Sequence, residues 1–159
     1  MSIENLHQVY LGLGSNLGDK EENLRKAISL INEQIGTVVR QSALFYSEPW
    51  GYESRNQFVN AVILVETPLS PHQVLKANQH IEHQLGKTEV HATDRPSPSS
   101  NHPSPIYHDR PIDIDILLFD DLHIDEPDLK IPHPLMHERP FVMIPLNEIK
   151  GDITKAGHQ

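Results

Sequence analysis

The stretch "DRPIDIDILLFDD", residues 109–121, combines the pattern of a buried β-strand with two charged side chains in its middle. Its apolar residues are mostly β-branched or aromatic, which favours a strand. Asp113 and Asp115 interrupt that run. Side chains alternate along a strand, so the two carboxylates share one face, roughly 6.6 Å apart at ~3.3 Å per residue. Oxygen ligands at this spacing suit Mg²⁺, and a solvated strand face is the alternative.

The segments before this stretch predict the order strand, helix, strand, strand, helix, strand. Asp19 and Ser70 have the spacing of helix N-caps, and Gly36 and Gly86 are predicted to end the two helices. This order is that of an α+β fold with a ferredoxin-like split βαβ core, an antiparallel sheet with its two helices on one face and a tail of short elements after it. The strands predicted ahead of the aspartate strand are 9–14, 37–47 and 57–66.

Length and composition limit the class of protein. The chain has 159 residues, 37% of them hydrophobic, which is enough for one core, so we expect residues 1–159 to form a single domain. The absence of cysteine excludes disulfides and thiolate metal sites, and a net charge of -9 argues against nucleic-acid binding. No apolar run approaches the ~18 residues of a membrane span, and the start of the chain lacks the pattern of a signal peptide. We therefore expect a cytoplasmic protein.

A segment rich in proline and serine precedes the aspartate strand. Residues 93–111 read "TDRPSPSSNHPSPIYHDRP", a composition that is incompatible with a helix or a central strand. The sequence therefore predicts a long loop over residues 88–108. Such a loop is either a lid that closes over a site or an inert insertion.

Two further patterns favour ordinary structural roles. Gly12, Gly14 and Gly18 match neither the dinucleotide fingerprint nor a phosphate-binding P-loop, so a tight turn between strand and helix is the preferred interpretation. His80 and His83 lie three residues apart on the second helix, but the sequence shows no obvious third ligand for a zinc ion.

Polar residues near aromatic ones mark a candidate heterocycle site. Asn60 is predicted to share a strand face with Phe58, where its amide needs a partner, either a heterocycle edge or the backbone. The segment "IPHPLMHERPFVMIPL", residues 131–146, groups His133, Arg139 and Phe141 among prolines. This mixture of imidazole, cation and aromatic ring is typical of a nucleotide or heterocycle site, and a solvated loop is the alternative.

Taken together, five segments of the chain resemble the 6-hydroxymethyl-7,8-dihydropterin pyrophosphokinase family. The resemblance implies a monomeric α+β transferase that moves pyrophosphate from ATP to 6-hydroxymethyl-7,8-dihydropterin and releases AMP, in folate biosynthesis. The matching segments, in the family's order, are "LGLGSNLGD", "LFYSEPWGY", "FVNAV", "RPIDIDILLFD" and "IPHPLMHERPFVMIPL".

The resemblance also implies roles for individual residues. Two Mg²⁺ ions on the ATP phosphates would be held by Asp113 and Asp115, which with Arg110 form the catalytic group. The implied partners are ATP and the pterin, with no nucleic acid and no membrane. The implied ATP-binding residues are Glu82, Lys87, Arg110, His133 and Arg139, and the implied pterin-binding residues are Ser47, Trp50, Phe58, Asn60 and Phe141.

The chain departs from the family pattern after Gly86. Lys87 stands where an arginine is usual, and the loop that follows is longer and richer in proline. Arg95 and Tyr107 are candidates for the family's loop arginine and aromatic residue. Two other functions stay open: a pterin or nucleotide binder without catalysis, and a Mg²⁺-dependent phosphohydrolase.

Overall fold

The structure is a computed structural model that describes residues 6–47, 58–86 and 111–158. The described part of the chain contains seven strands, three α-helices and one 3-10 turn. In chain order they are β1 His7–Ser15, α1 Lys20–Gln34, β2 Thr37–Gln41, β3 Phe45–Ser47, β4 Phe58–Thr67, α2 Pro71–Gln84, β5 Asp113–Phe119, β6 Ile124–Glu126, β7 Leu129–Ile131, the 3-10 turn Met136–Glu138 and α3 Pro140–His158.

The main sheet has the strand order β2-β4-β1-β5, and β3 pairs with β4 beyond the end of β2. All of its pairings are antiparallel. The first strand thus lies between the third and fourth strands of the predicted order, which is the split βαβ arrangement. The fold class predicted from the sequence is confirmed, and the aspartate strand β5 lies at one edge of the sheet.

Both predicted helix starts are confirmed by their hydrogen bonds. The Asp19 carboxylate accepts from the Glu22 N–H over 3.2 Å, which supplies one of the helix's otherwise unpaired donors. At α2, Ser70 and Gln73 form a reciprocal capping box, with Pro71 as the first helical residue. The helix ends just before Gly86, whose φ of 104° is a conformation that favours glycine.

The strand predicted over 37–47 is interrupted. The Ser42 N–H donates to Val62 O over 2.9 Å, but the Val62 N–H donates to the Ser42 hydroxyl over 3.0 Å rather than to a backbone carbonyl. Because a side chain replaces one ladder bond, pairing stops after β2 and resumes at β3. The prediction of one continuous strand was wrong in this detail, since a serine in a strand pattern gives no sign that its hydroxyl will do this.

Apolar side chains cover both faces of the sheet. On one face, α1 and α2 pack against the larger cluster, which includes Val9, Leu11, Ile63, Ile114 and Phe119. On the other face, a smaller cluster joins the sheet to α3. Its buried members are Val62, Leu64, Leu117, Met136, Val142, Leu146 and Ile149.

The tail after β5 begins with the predicted short elements, β6, β7 and the 3-10 turn, but it ends in the long helix α3, which was not predicted. Its prolines misled the prediction: Pro140 is the first helical residue, where a missing N–H costs nothing, and Pro145 lies inside the helix. The buried residues Val142, Leu146 and Ile149 nevertheless have the spacing of one helical face. Residues 131–146 are therefore not a solvated loop, because this segment ends in a helix packed on the sheet.

Several predictions fall on other parts of the chain. The loop predicted over residues 88–108, together with Trp50, Lys87 and Arg110, lies outside the described residues. Among the described helices, none is long and apolar enough to cross a bilayer.

Candidate active site

A row of polar residues crosses three strands on the α3 side of the sheet. Gly14 of β1 lies between Asn60 of β4 and Asp113 of β5, as the partner of both. Residues directly opposite in an antiparallel pair face the same side. The Asn60 amide and the Asp113 carboxylate therefore flank a strip without side chains, and their strands are roughly 9.6 Å apart at ~4.8 Å per spacing.

The two glycines of β1 form the floor of this strip. Gly12 lies two residues before Gly14, on the same face, and pairs with Asp115. A Cβ atom built on Gly14 would lie 2.7 Å from Asn60 Oδ1, so the Asn60 side chain reaches over the Gly14 backbone. Both glycines lie within β1, in agreement with the strand predicted over 9–14. The tight turn between strand and helix follows at Gly18, whose φ is 73°.

Asn60 is a buried amide with an unmet hydrogen-bonding need. The residue is 7% exposed, and its Nδ2 has no hydrogen-bond partner among the residues that the structure describes. Burying an amide donor without an acceptor is costly. The alternative predicted for Asn60, a core hydrogen bond to the backbone, is not made by this nitrogen. The amide is thus available to a ligand that brings its own acceptor.

Aromatic and hydroxyl residues of β3 and β4 share the sheet face with Asn60. Phe58 precedes it by two residues on the same face of β4, and Ser47 of β3 pairs with Phe58. Phe45, which the sequence analysis did not single out, pairs directly with Asn60 and is half-buried. The sequence did carry a signal for Phe45: it alternates with Ser47 about the exposed Tyr46, so Phe45 and Ser47 face the same side of the sheet.

Asp113 and Asp115 are both partly buried on the edge strand β5. Glu82 lies beside them rather than over the same face, because its Oε2 accepts from the Ile114 N–H over 2.7 Å. This carboxylate is 8% exposed and satisfies a backbone donor on the outer edge of β5. Glu82 therefore has a structural bond in addition to the ATP-binding role predicted for it.

His133 joins the other end of that edge. Its backbone N–H donates to Leu117 O over 3.0 Å, and its Nδ1 accepts from the Leu135 N–H over 3.3 Å. Burial lowers the pKa of His133, the charge of Arg139 lowers it further, and Asp113 acts in the opposite direction. A neutral imidazole is also what the Nδ1 hydrogen bond requires.

Arg139 and Phe141 lie together at the start of α3. The Arg139 guanidinium carbon is 5.7 Å from the centroid of the Phe141 ring, a cation–π distance. The Phe141 ring is partly buried against the α3 cluster. The guanidinium therefore lies over a face of this ring, a contact that the sequence could not show.

A pocket of about 240 Å³ lies beyond the outer edge of β5. In an antiparallel strand the N–H and C=O of one residue point to the same side, so Ile116 directs both groups the way Ile114 directs its N–H, toward this edge. The pocket therefore has a hydrogen-bonding wall. It is lined by Leu75, Ile114, Asp115, Ile116, Pro127, Asp128, Leu129, Lys130, His133 and Pro134.

The structure brings most of the described candidates to this region. Ser47, Phe58, Asn60, Asp113 and Asp115 lie on one face of the sheet. Glu82 and His133 flank the outer edge of β5. The group of three potential metal ligands found among the described residues includes neither His80 nor His83.

The fold and this site define an α+β domain of the split βαβ class, in which the third helix packs on the sheet face that carries the polar strip. The chain belongs to the 7,8-dihydro-6-hydroxymethylpterin-pyrophosphokinase (HPPK) family, whose model matches residues 10–151. This confirms the resemblance found in the sequence.

Individual relatives agree with this assignment. The chain is 41% identical over 142 residues to the 2-amino-4-hydroxy-6-hydroxymethyldihydropteridine pyrophosphokinase of Porphyromonas gingivalis, covering 89% of both chains. It is 38% identical over 148 residues to the enzyme of that name from Bacillus subtilis, covering 92% of this chain and 80% of the relative.

Solved structures match the fold at low sequence identity. The wild-type HPPK-DHPS of Plasmodium falciparum has a TM-score of 0.66 at 17% identity, over 92% of this chain. The match covers 42% of that longer chain, so it bears on one part of it only.

Proposed function

We infer that this chain transfers the pyrophosphoryl group of ATP to the hydroxymethyl group of 6-hydroxymethyl-7,8-dihydropterin and releases AMP, a step of folate biosynthesis. Family membership supports the reaction. The observation that carries the assignment to this face is the row from Asn60 through Gly14 to Asp113. This row places the Asn60 amide on one side of Gly14 and the carboxylates of Asp113 and Asp115 on the other side.

The Asn60 end of the row is proposed to bind the pterin. A pterin is flat and carries donors and acceptors on its edge, which suits a buried amide whose Nδ2 has no partner. The absence of a side chain at Gly14 leaves room for the Asn60 amide to reach over the strand, where it can meet the edge of a flat ring. The proposed pterin-binding residues are Ser47, Trp50, Phe58, Asn60 and Phe141, of which Trp50 lies outside the described residues.

The Asp113 end is proposed to hold the phosphates through two Mg²⁺ ions. The donor set fits this metal, because Asp113 and Asp115 offer hard oxygen ligands on one partly exposed face and Gly12 leaves space beside them. Bound Mg²⁺ would neutralise phosphate charge and help to align the reacting groups. Arg139 supplies a cation near the same strip, and the proposed roles of Arg110 and Lys87 fall outside the described residues.

The pocket beyond β5 is proposed to receive the nucleotide base and ribose. It offers the backbone N–H and C=O of Ile116, and its lining includes Lys130 and His133. Glu82 stands at the same edge. Because β5 is the edge strand, the two aspartates lie between this pocket and Asn60. A nucleotide in the pocket would therefore direct its phosphates toward a pterin at Asn60.

The reaction needs positioning more than covalent help from the protein. The pterin hydroxyl oxygen forms a bond to the β-phosphorus of ATP and loses its proton to water, the bond from that phosphorus to the α,β-bridging oxygen breaks, and AMP leaves. The residues of this chain orient the hydroxyl and the phosphate chain in line, and they keep the ring fixed on the floor of the strip. The neutral His133 is suited to donate a hydrogen bond through Nε2 while Nδ1 accepts one from the backbone.

The decisive experiment follows AMP release from ATP and Mg²⁺ with and without the pterin alcohol. AMP that forms only with the alcohol, together with a diphosphorylated pterin, supports transfer. Nucleotide hydrolysis at the same rate without the alcohol would establish the phosphohydrolase instead. Tight binding of both ligands without turnover would establish a binder that lacks catalysis.

Asn60→Ala separates the two ligand ends. We expect this variant to weaken pterin binding far more than ATP binding, because only the pterin end loses a hydrogen-bonding partner, at a cost of about 1–3 kcal/mol. Equal losses for the two ligands would show that Asn60 is a structural residue. Isothermal titration with each ligand measures both affinities.

The proposal extends to the organisation of the chain. Residues 1–159 are taken to act as one pyrophosphokinase domain, as a monomer in the cytoplasm, with residues 88–108 as a lid over the site. Analytical sedimentation measures whether the chain is a monomer. Replacing residues 93–105 with a short glycine-serine link tests the lid. Loss of a lid lowers turnover before it weakens ATP binding, whereas loss of an inert insertion changes neither.

A further inference from the structure

A second group of potential metal ligands lies away from the polar strip. His72, Glu126 and Asp128 each place one ligand atom within 4.8 Å of the other two. His72 belongs to the first turn of α2, and the two carboxylates belong to the β6–β7 hairpin. In the part of the chain that the structure describes, this is the one such group of three.

We propose that His72, Glu126 and Asp128 form a binding site for a divalent transition metal such as Zn²⁺. Three protein ligands of mixed nitrogen and oxygen type, with a fourth position open to solvent, are a common zinc arrangement. Imidazole selects Zn²⁺ over Mg²⁺, which prefers oxygen ligands and water. The site is therefore distinct in chemistry from the aspartate pair proposed for Mg²⁺.

The distances are close to those that a metal requires. Tetrahedral bonds of ~2.0–2.2 Å separate neighbouring ligand atoms by roughly 3.4 Å. His72 Nε2 and Glu126 Oε1 are 2.8 Å apart, joined by a hydrogen bond, and Asp128 completes the group within 4.8 Å. All three residues are exposed, so shifts of an ångström or less require side-chain rotation only.

The pairing in the β6–β7 hairpin determines which of its side chains face α2. Glu126 pairs with Leu129 in the hairpin, so both face the same side. Leu129 is buried in the larger apolar cluster, so Glu126 is held on the inner face, toward His72. On the outer face of the hairpin, Lys130 Nζ donates to the Asp125 carboxylate over 2.7 Å. Asp125 is therefore not part of the proposed site.

The ion pair of His72 with Glu126 is the competing explanation for this cluster. Both side chains are 48% exposed, and exposed ion pairs contribute little stability. A metal ion can therefore replace the hydrogen bond at small cost. Because the ligands come from segments more than 50 residues apart, the unfolded chain has no equivalent site, and binding should stabilise the folded state.

Zn²⁺ titration of the whole chain in excess Mg²⁺ tests the proposal, with Mg²⁺ present to occupy the aspartate pair. We expect one Zn²⁺ per chain at mildly alkaline pH. Changes in second-shell partners of a metal typically cost 10–100-fold, so loss of a ligand in His72→Ala or Asp128→Asn should weaken binding by at least about tenfold. The matched control is His80→Ala, which removes an exposed histidine of the same helix outside the cluster.

Thermal unfolding gives a second measurement on the same variants. Zn²⁺ at about ten times its Kd should raise the Tm of the unaltered chain by about 3–5 °C and leave that of His72→Ala unchanged. A weak titration of several ions that all three variants share would overturn the proposal. Equal losses in His80→Ala and His72→Ala would do the same, since both results indicate binding to surface histidines only.

Discussion

Replacing Gly14 with alanine tests whether the bare floor of the strip positions Asn60. Gly14 has no positive φ, so alanine suits its backbone. The added Cβ would lie 2.7 Å from Asn60 Oδ1, which real contacts of this kind do not reach. The short Asn60 side chain must therefore rotate away from its position. The substitution should act on the pterin end of the site without unfolding the sheet.

The expected magnitude follows from one misplaced hydrogen-bonding group. Leaving such a group unpaired costs about 1–3 kcal/mol, so pterin affinity should fall about 5- to 150-fold. Gly→Ala at a compatible site stabilises by about 0.4–1 kcal/mol through the unfolded state, which offsets part of the steric cost. The Tm should therefore change by no more than about 4 °C. Titration with pterin and with ATP, and a thermal melt, measure all three quantities.

Two controls make this prediction refutable. Gly12→Ala adds a methyl group to the same face, but its nearest contact is the Leu117 side chain at an ordinary 3.4 Å, so pterin affinity should change little. In the Asn60→Ala background, Gly14→Ala should add almost nothing, because the group that it displaces is already gone. A full additional loss in that background would refute the reasoning, since the methyl group would then act directly on the ligand.

Three further outcomes are expected. Asp113→Asn and Asp115→Asn should each abolish turnover while leaving the Tm unchanged or higher, because removing like charges from one face does not weaken the fold. Asp121→Asn is the control. Normal turnover of both variants at saturating Mg²⁺ would contradict the metal assignment. Glu82→Ala should lower the free energy of unfolding by about 1–3 kcal/mol, because it leaves a buried strand N–H without an acceptor. Glu82→Gln keeps an acceptor oxygen and should retain most of the stability. Equal losses for the two variants in urea denaturation would show that the bond to the strand does not matter. Since burial lowers the pKa of His133 below 6.5, the unfolded chain takes up a proton first, and the free energy of unfolding should fall as the pH drops below 6.5, by at most about 1.4 kcal/mol per pH unit. His133→Asn should make that slope shallower in urea denaturation across the pH range, and an unchanged slope would assign it to other groups.

Local signals sufficed to predict the split βαβ core. The caps at Asp19 and Ser70 bond the backbone groups that their spacing predicted. The apolar periods of the two helices match their buried faces, and the continuous apolar run of β4 matches a strand that is buried on both faces. These features are decided by neighbours within a few residues, so the sequence alone reveals them.

Features that depend on distant contacts were not predictable. Gly12 and Gly14 were predicted to lie in a strand, but their pairing with both β4 and β5 could not be foreseen. The bond from the Ile114 N–H to Glu82 joins residues 32 positions apart. The stacking of Arg139 on Phe141 required the helix that Pro140 and Pro145 concealed. In each case the chemistry of the residue was visible and its partner was not.

The separation of the two apolar clusters by the sheet bears on how this chain can vary. The side chains beneath α1 and α2 point away from the polar strip, so exchanges among them, such as Ile31 or Val74 for residues of similar volume, reach the strip only through the strand backbones. The cluster under α3 includes Phe141, so changes there alter a proposed contact surface directly. Engineering for heat resistance should therefore start on the α1 and α2 side, where libraries can be broad, and altered substrate preference should be sought on the other.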